Sequence, residues 1–116
     1  METRCYHGTP HNISAQAVRD ICAQGLKYEP ALTNNFALAA WHALKNGRTK
    51  GTVIVCNVDA AKAKYTFCRS KNAHKKIYKF EHIPCEHIIE LLEVCRDEQG
   101  MAKIMNRRSL RRTPSV

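Results

Sequence analysis

The chain has 116 residues, 44% hydrophobic and 25% charged, the size and balance of one domain with its own core, which excludes two separate cores and intrinsic disorder. No window holds the ~18 consecutive apolar residues of a membrane span, and the opening METRCYHGTP lacks the apolar stretch of a secretory signal, so a cytoplasmic protein with no membrane partner is expected. The formal net charge of +9 favours phosphate-rich or otherwise anionic partners.

Cys5-Tyr6-His7 reads as a brief strand that runs into a Gly8-Thr9-Pro10 loop. A helix follows. Ser14 suits its N-cap, Ile13 and Val18 suit a hydrophobic staple, and Val18, Ile21 and Cys22 share one face. Gly25 is expected to end it in the αL conformation, with Leu26 folding back over the end. Lys27 to Leu32, interrupted by Pro30, reads as irregular or a short strand. Thr33-Asn34-Asn35 then offers caps for a second helix, whose apolar stripe is Phe36, Ala37, Ala40, Trp41 and Leu44 and which ends at Asn46-Gly47. Thr52 to Val58 carries the β-branched run expected of a central strand.

After Asp59 an Ala/Lys stretch suits one helical turn, and Tyr65 to Cys68 suits a short strand. Arg69 to Lys76 reads as a basic surface loop, and Ile77 to Ile83 as a strand ended by Pro84. Glu86 to Cys95 fits a helix through Ile88, Leu91, Leu92 and Cys95, and fits a buried strand equally well by its density of Ile, Leu and Val. A domain of residues 1–100 is expected to be followed by a basic tail, 101–116, with no ordered structure from Asn106 onward. The six cysteines sit singly in apolar segments and read mostly as reduced, buried thiols.

The sharpest local feature is Tyr6-His7-Gly8-Thr9 at a strand end, before a helix that finishes at Gly25-Leu26. A glycine there bares main-chain N–H and C=O to a ligand amide, while His7 and Thr9 offer hydrogen bonds to hydroxyls. The pattern resembles the opening of the ADP-ribosyltransferase superfamily. The resemblance continues through Leu32-Thr33-Asn34-Asn35-Phe36, Ala39-Ala40-Trp41 and the strand Gly51 to Val58, covering about residues 5–58. It implies an α+β fold of two small antiparallel sheets split around a cleft, with flanking helices. It also implies NAD as substrate: Gly8 would pair with the nicotinamide carboxamide, His7 and Thr9 would hold the ribose, and Thr33 and Phe36 would border the pocket. Phe36 and Trp41 also suit a helix's core face.

Transferases of this kind carry a glutamate near the start of a late strand, where its charge stabilises the positive charge that develops as nicotinamide leaves. Aligning Ile77 to Ile83 with that strand puts Lys75 or Lys76 at the position, and neither can do this work. Glu81 is the expected substitute, acting with His7, and Glu86 the second choice. The implied activity is ADP-ribosyl transfer to an unidentified protein or nucleic-acid acceptor. The displaced acid opens an alternative, a catalytically degenerate module that binds NAD, ADP-ribose or nucleic acid. A third reading is RNA 2′-phosphotransferase-like activity, with Arg69, Lys71, Lys75 and Lys76 on the phosphate; the arginine signatures expected of that family are not found in these residues. His82, Cys85 and His87 lie close in sequence but match no strong zinc spacing, so no metal is expected. Arg107-Arg108-Ser109 and Arg111-Arg112-Thr113-Pro114 suit basic-directed kinases or a nucleic-acid or localisation tail.

Overall fold

In the computed structural model, which describes residues 2–10, 14–68 and 75–110, the chain forms β1 (Glu2–Thr9), α1 (Ala15–Gln24), β2 (Ala31–Thr33), α2 (Phe36–Leu44), β3 (Lys50–Asp59), β4 (Tyr65–Cys68), β5 (Lys76–Lys79), β6 (Ile88–Arg96) and β7 (Ala102–Ser109). Short 3-10 turns occupy Ala60–Lys62 and Cys85–His87. The strands build one antiparallel sheet in the order β4-β5-β2-β1-β3-β6-β7, so the domain is mixed α+β. Among the described residues the strands form one sheet instead of the expected two. The halves β4-β5-β2 and β1-β3-β6-β7 are joined where Tyr6 pairs with Thr33, the single register pair between β1 and β2.

The long β-branched run of β3 is apolar without alternation because both of its faces are covered. Ile54, Cys56 and Val58 join one core with Val18 of α1, while Val53 and Val55 join another with Ala39, Ala40 and Ala43 of α2. The two helices therefore lie on opposite faces of the sheet. The ambiguous segment after Pro84 is settled the same way: β6 is inserted between β3 and β7, sending Leu91 to the α1 side and Leu92 and Val94 to the α2 side. A strand buried on both faces has no period of its own, so apolar density alone produced the helix-like spacing.

Helix α1 begins as expected, with the Ala17 N–H donating to the Ser14 hydroxyl at 3.1 Å; Ile13 of the expected staple lies outside the described residues. Gly25 ends it at φ 71°, ψ −155°, a glycine-only region distinct from αL. A Cβ there would overlap the Ile83 carbonyl oxygen, because Leu26 and Ile83 exchange main-chain hydrogen bonds of 2.8 and 2.9 Å. Helix α2 starts from Asn35, whose side chain accepts from the Leu38 N–H at 2.9 Å.

The buried face of α2 is Ala39, Ala40, Ala43 and Leu44, with Phe36 packed partly against the same core; of the expected stripe, Ala37 and Trp41 face away. Trp41 is 50% exposed. The reason lies in the sheet beneath. A Cβ on Gly8 would overlap the Ala39 carbonyl oxygen, and one on Gly51 would overlap that of Ala43. Helix and sheet backbones meet here with no side chain between them, and a tryptophan at the contact would hold them apart. Gly8 therefore has a packing role in addition to any role toward a ligand.

The expectation of an unstructured tail fails over its first half. Residues 102–109 form β7, an edge strand exposed along nearly its whole length, with only Ile104 packed partly against the α2 core. An exposed edge strand is polar on both faces, and its Lys and Arg residues discourage further pairing, so its composition resembles a tail. Residues 111–116, with the second kinase-like stretch, lie outside the described residues. Of the cysteines, only Cys5 and Cys56 are buried. They face each other across β1 and β3, and burial pushes their thiols up to about 11 and about 12. Cys68 is exposed.

The contact between α2 and the sheet is testable by adding one methyl group. Gly8→Ala and Gly51→Ala should each lower the unfolding free energy in a urea titration by about 2 kcal/mol or more. Gly100→Ala, at φ 81° with open space around the added carbon, should cost about 1 kcal/mol.

Candidate functional site

Past Tyr6 and Thr33 the strands β1 and β2 part, and a hollow of about 160 Å³ forms at the fork. Strand β1 supplies Tyr6, His7 and Gly8, β2 supplies Ala31, Leu32 and Thr33, α2 supplies Leu38, Ala39 and His42, and β5 supplies Ile77. The close seating of α2 on Gly8 sets the distance between the helix wall and the β1 wall. Thr33 is buried, and its hydroxyl accepts from the Asn35 N–H at 3.1 Å. The same residue thus borders the hollow and fixes the turn into α2.

His7 spans the fork. Its Nδ1 lies 2.8 Å from the Ala31 carbonyl oxygen, which can only accept, so Nδ1 carries the hydrogen and Nε2 of the neutral ring keeps an acceptor lone pair. Burial lowers the His7 pKa below its ordinary 6.5; the bond to Ala31 opposes this, and the charge of Lys79 adds to the lowering. The ring is therefore neutral near pH 7. It can accept a hydrogen bond from a ligand hydroxyl or amide.

The other expected site residues separate. Phe36 packs edge-on against Tyr6, centroids 5.6 Å apart at 77°, and does not line the hollow. Thr9, at the end of β1 opposite Thr52, also lies outside the lining. Glu81 is exposed and borders a different hollow of about 600 Å³, together with Val58, Phe80, Ile83 and His87. It is not brought to His7. Register alone does not carry it there, since it follows the end of β5 and its carbonyl accepts from the Glu29 N–H at 3.3 Å. The chain has ten Asp and Glu residues, and none lines the hollow at His7.

His82 and His87 each direct one ring nitrogen at a main-chain carbonyl, of Gln24 at 2.8 Å and Asn57 at 3.0 Å. Among the described residues no group of three His, Cys, Asp or Glu is placed to hold a metal ion, and no helix is long and apolar enough to cross a membrane. Sequence reasoning missed Leu38, His42, Ile77 and Lys79. Leu38 and His42 are four apart on α2 and flank Ala39, so helical spacing was the available signal once the seated face was known.

No family model matches the chain, and no curated protein does. In fold the chain is similar to a solved structure, EcPltA, at 12% sequence identity and a TM-score of 0.64, over 98% of this chain and 89% of that one.

The lowered pKa of His7 ties stability to pH. Its folded pKa lies below the unfolded value, so acid favours the unfolded chain. The contribution is complete above about pH 6.5 and is lost as pH falls from there through the lower folded value. Urea titrations across this window should show a steeper acid loss for the wild type than for His7→Gln; parallel curves would mean that the ring titrates as in solvent.

Proposed function

We propose that the domain binds NAD by its nicotinamide end, as an ADP-ribosyltransferase-like module in which the chain's own carboxylates take no part in bond cleavage. The observation that carries this reading is the hollow at the β1–β2 fork with neutral His7 in its wall. At about 160 Å³ it suits a single ring, since a cavity of about 150 Å³ accommodates benzene, and the remainder of a dinucleotide would lie outside. Leu32, Leu38, Ala39 and Ile77 offer apolar walls to a ring, and His7, Thr33 and His42 offer polar groups at its edge. Lys79, whose charge is felt at His7, offers a cation to the pyrophosphate. The fork opens between the β4-β5-β2 and β1-β3-β6-β7 halves of the sheet, which gives a ligand access between them.

The lining without a carboxylate favours binding over transfer. A transferase needs a negative group beside the leaving nicotinamide, and Glu81, the expected one, borders the other hollow. The experiment is a calorimetric NAD titration with chromatography for free nicotinamide. The wild type should bind NAD and release no nicotinamide above the buffer rate, and His7→Ala should weaken binding about three- to tenfold through the lost hydrogen bond. Nicotinamide release that disappears in His7→Ala would establish catalytic cleavage of NAD, with water or an acceptor taking the ADP-ribose, and overturn the binding-only reading; absence of binding would end both readings.

A further inference from the structure

Beside the hollow, β4 and β5 carry an exposed aromatic surface that nothing above uses. Tyr65 and Phe67 are 52% and 47% exposed, and their rings are stacked, with centroids 6.1 Å apart and planes at 27°. They are two apart on β4 and so project from the same face. In register Tyr65 stands opposite Lys79 and Phe67 opposite Ile77, placing a cation next to one ring and the hollow's own wall next to the other. Lys75 leads into β5, whose first residue, Lys76, shares the opposite face with Tyr78. The nearby Glu29 carboxylate is held by Lys64 at 2.6 Å, and the charge of Lys79 reaches both Glu29 and His7.

We infer that this face binds single-stranded nucleic acid, with bases stacked on Tyr65 and Phe67 and phosphates against Lys79 and Lys75. Two large rings left half in water are costly for a fold to keep, and a base offers each a planar partner. The lysines select the occupant. A second copy of this chain would bring cation against cation, whereas a polyanion releases its counterions on contact. A duplex keeps its bases within its own stack, so only an unpaired strand can use the rings. The stacking on Tyr65 and Phe67 does not depend on what fills the hollow. If NAD occupies it, the strand would lie one β-strand away, and its phosphates would share the charge of Lys79 with the pyrophosphate.

The test is fluorescence anisotropy with fluorescein-labelled oligo(dT) and oligo(rU), and with a duplex of equal length. The wild type should bind the single strands more tightly than the duplex. Tyr65→Leu with Phe67→Leu keeps an apolar surface without π faces, and should weaken single-strand binding about tenfold or more at unchanged melting temperature. Where the double variant melts early, Phe67→Leu alone is expected to show about a fivefold loss. Lys79→Gln should flatten the salt dependence of binding. Equal affinity for duplex and single strand, or leucine variants that bind like the wild type, would overturn the assignment.

Discussion

The seat of α2 on Gly8 and Gly51 is the contact from which the rest of the site is organised. Both glycines leave room for a helix carbonyl where any side chain would collide, and α2 meets them with alanines at 39, 40 and 43. Close backbone approach brings dispersion contacts and removes water from both surfaces. It also sets the position of Leu38 and His42, which flank the contact and form one wall of the hollow. A larger residue at either glycine would move that wall as a unit.

The fork between β1 and β2 depends on this arrangement in turn. Strand β1 is held on its other side by eight register pairs with β3, and from above by α2, so it need not follow β2 beyond Tyr6. The main chain left at the fork still requires partners. His7 meets part of that need by donating to Ala31, and the same bond selects the tautomer that leaves an acceptor on the ring. A structural requirement and a chemical capability thus rest on one imidazole. Burial keeps it neutral, which suits hydrogen bonding to a ligand better than attraction of an anion; Lys79 supplies the charge instead.

Much of the first half of the fold was legible because its signals are local. Ser14, Gly25 and Asn35 are punctuation that acts within a few residues, and the Thr52 to Val58 run declared a strand through its β-branched content. The later strands were harder to read, since β6 takes its character from two neighbours and two covered faces, and β7 from being an edge. Of the expected site, His7, Gly8 and Thr33 are brought together and Thr9, Phe36 and Glu81 are not. The first three flank the fork directly. Phe36 turned to Tyr6 because α2 sits on its alanines, and Glu81 was selected by chemistry along a strand that stops short of it, a distance that sequence order does not express.

The most direct test of this account is a methyl-resolved NMR experiment on the protein with nicotinamide or NAD. Transferred contacts from the nicotinamide ring protons should reach the methyl groups of Leu32, Leu38 and Ile77, which surround the fork. Contacts to Val58 and Ile83 in the larger hollow, or none under saturating NAD, would contradict it.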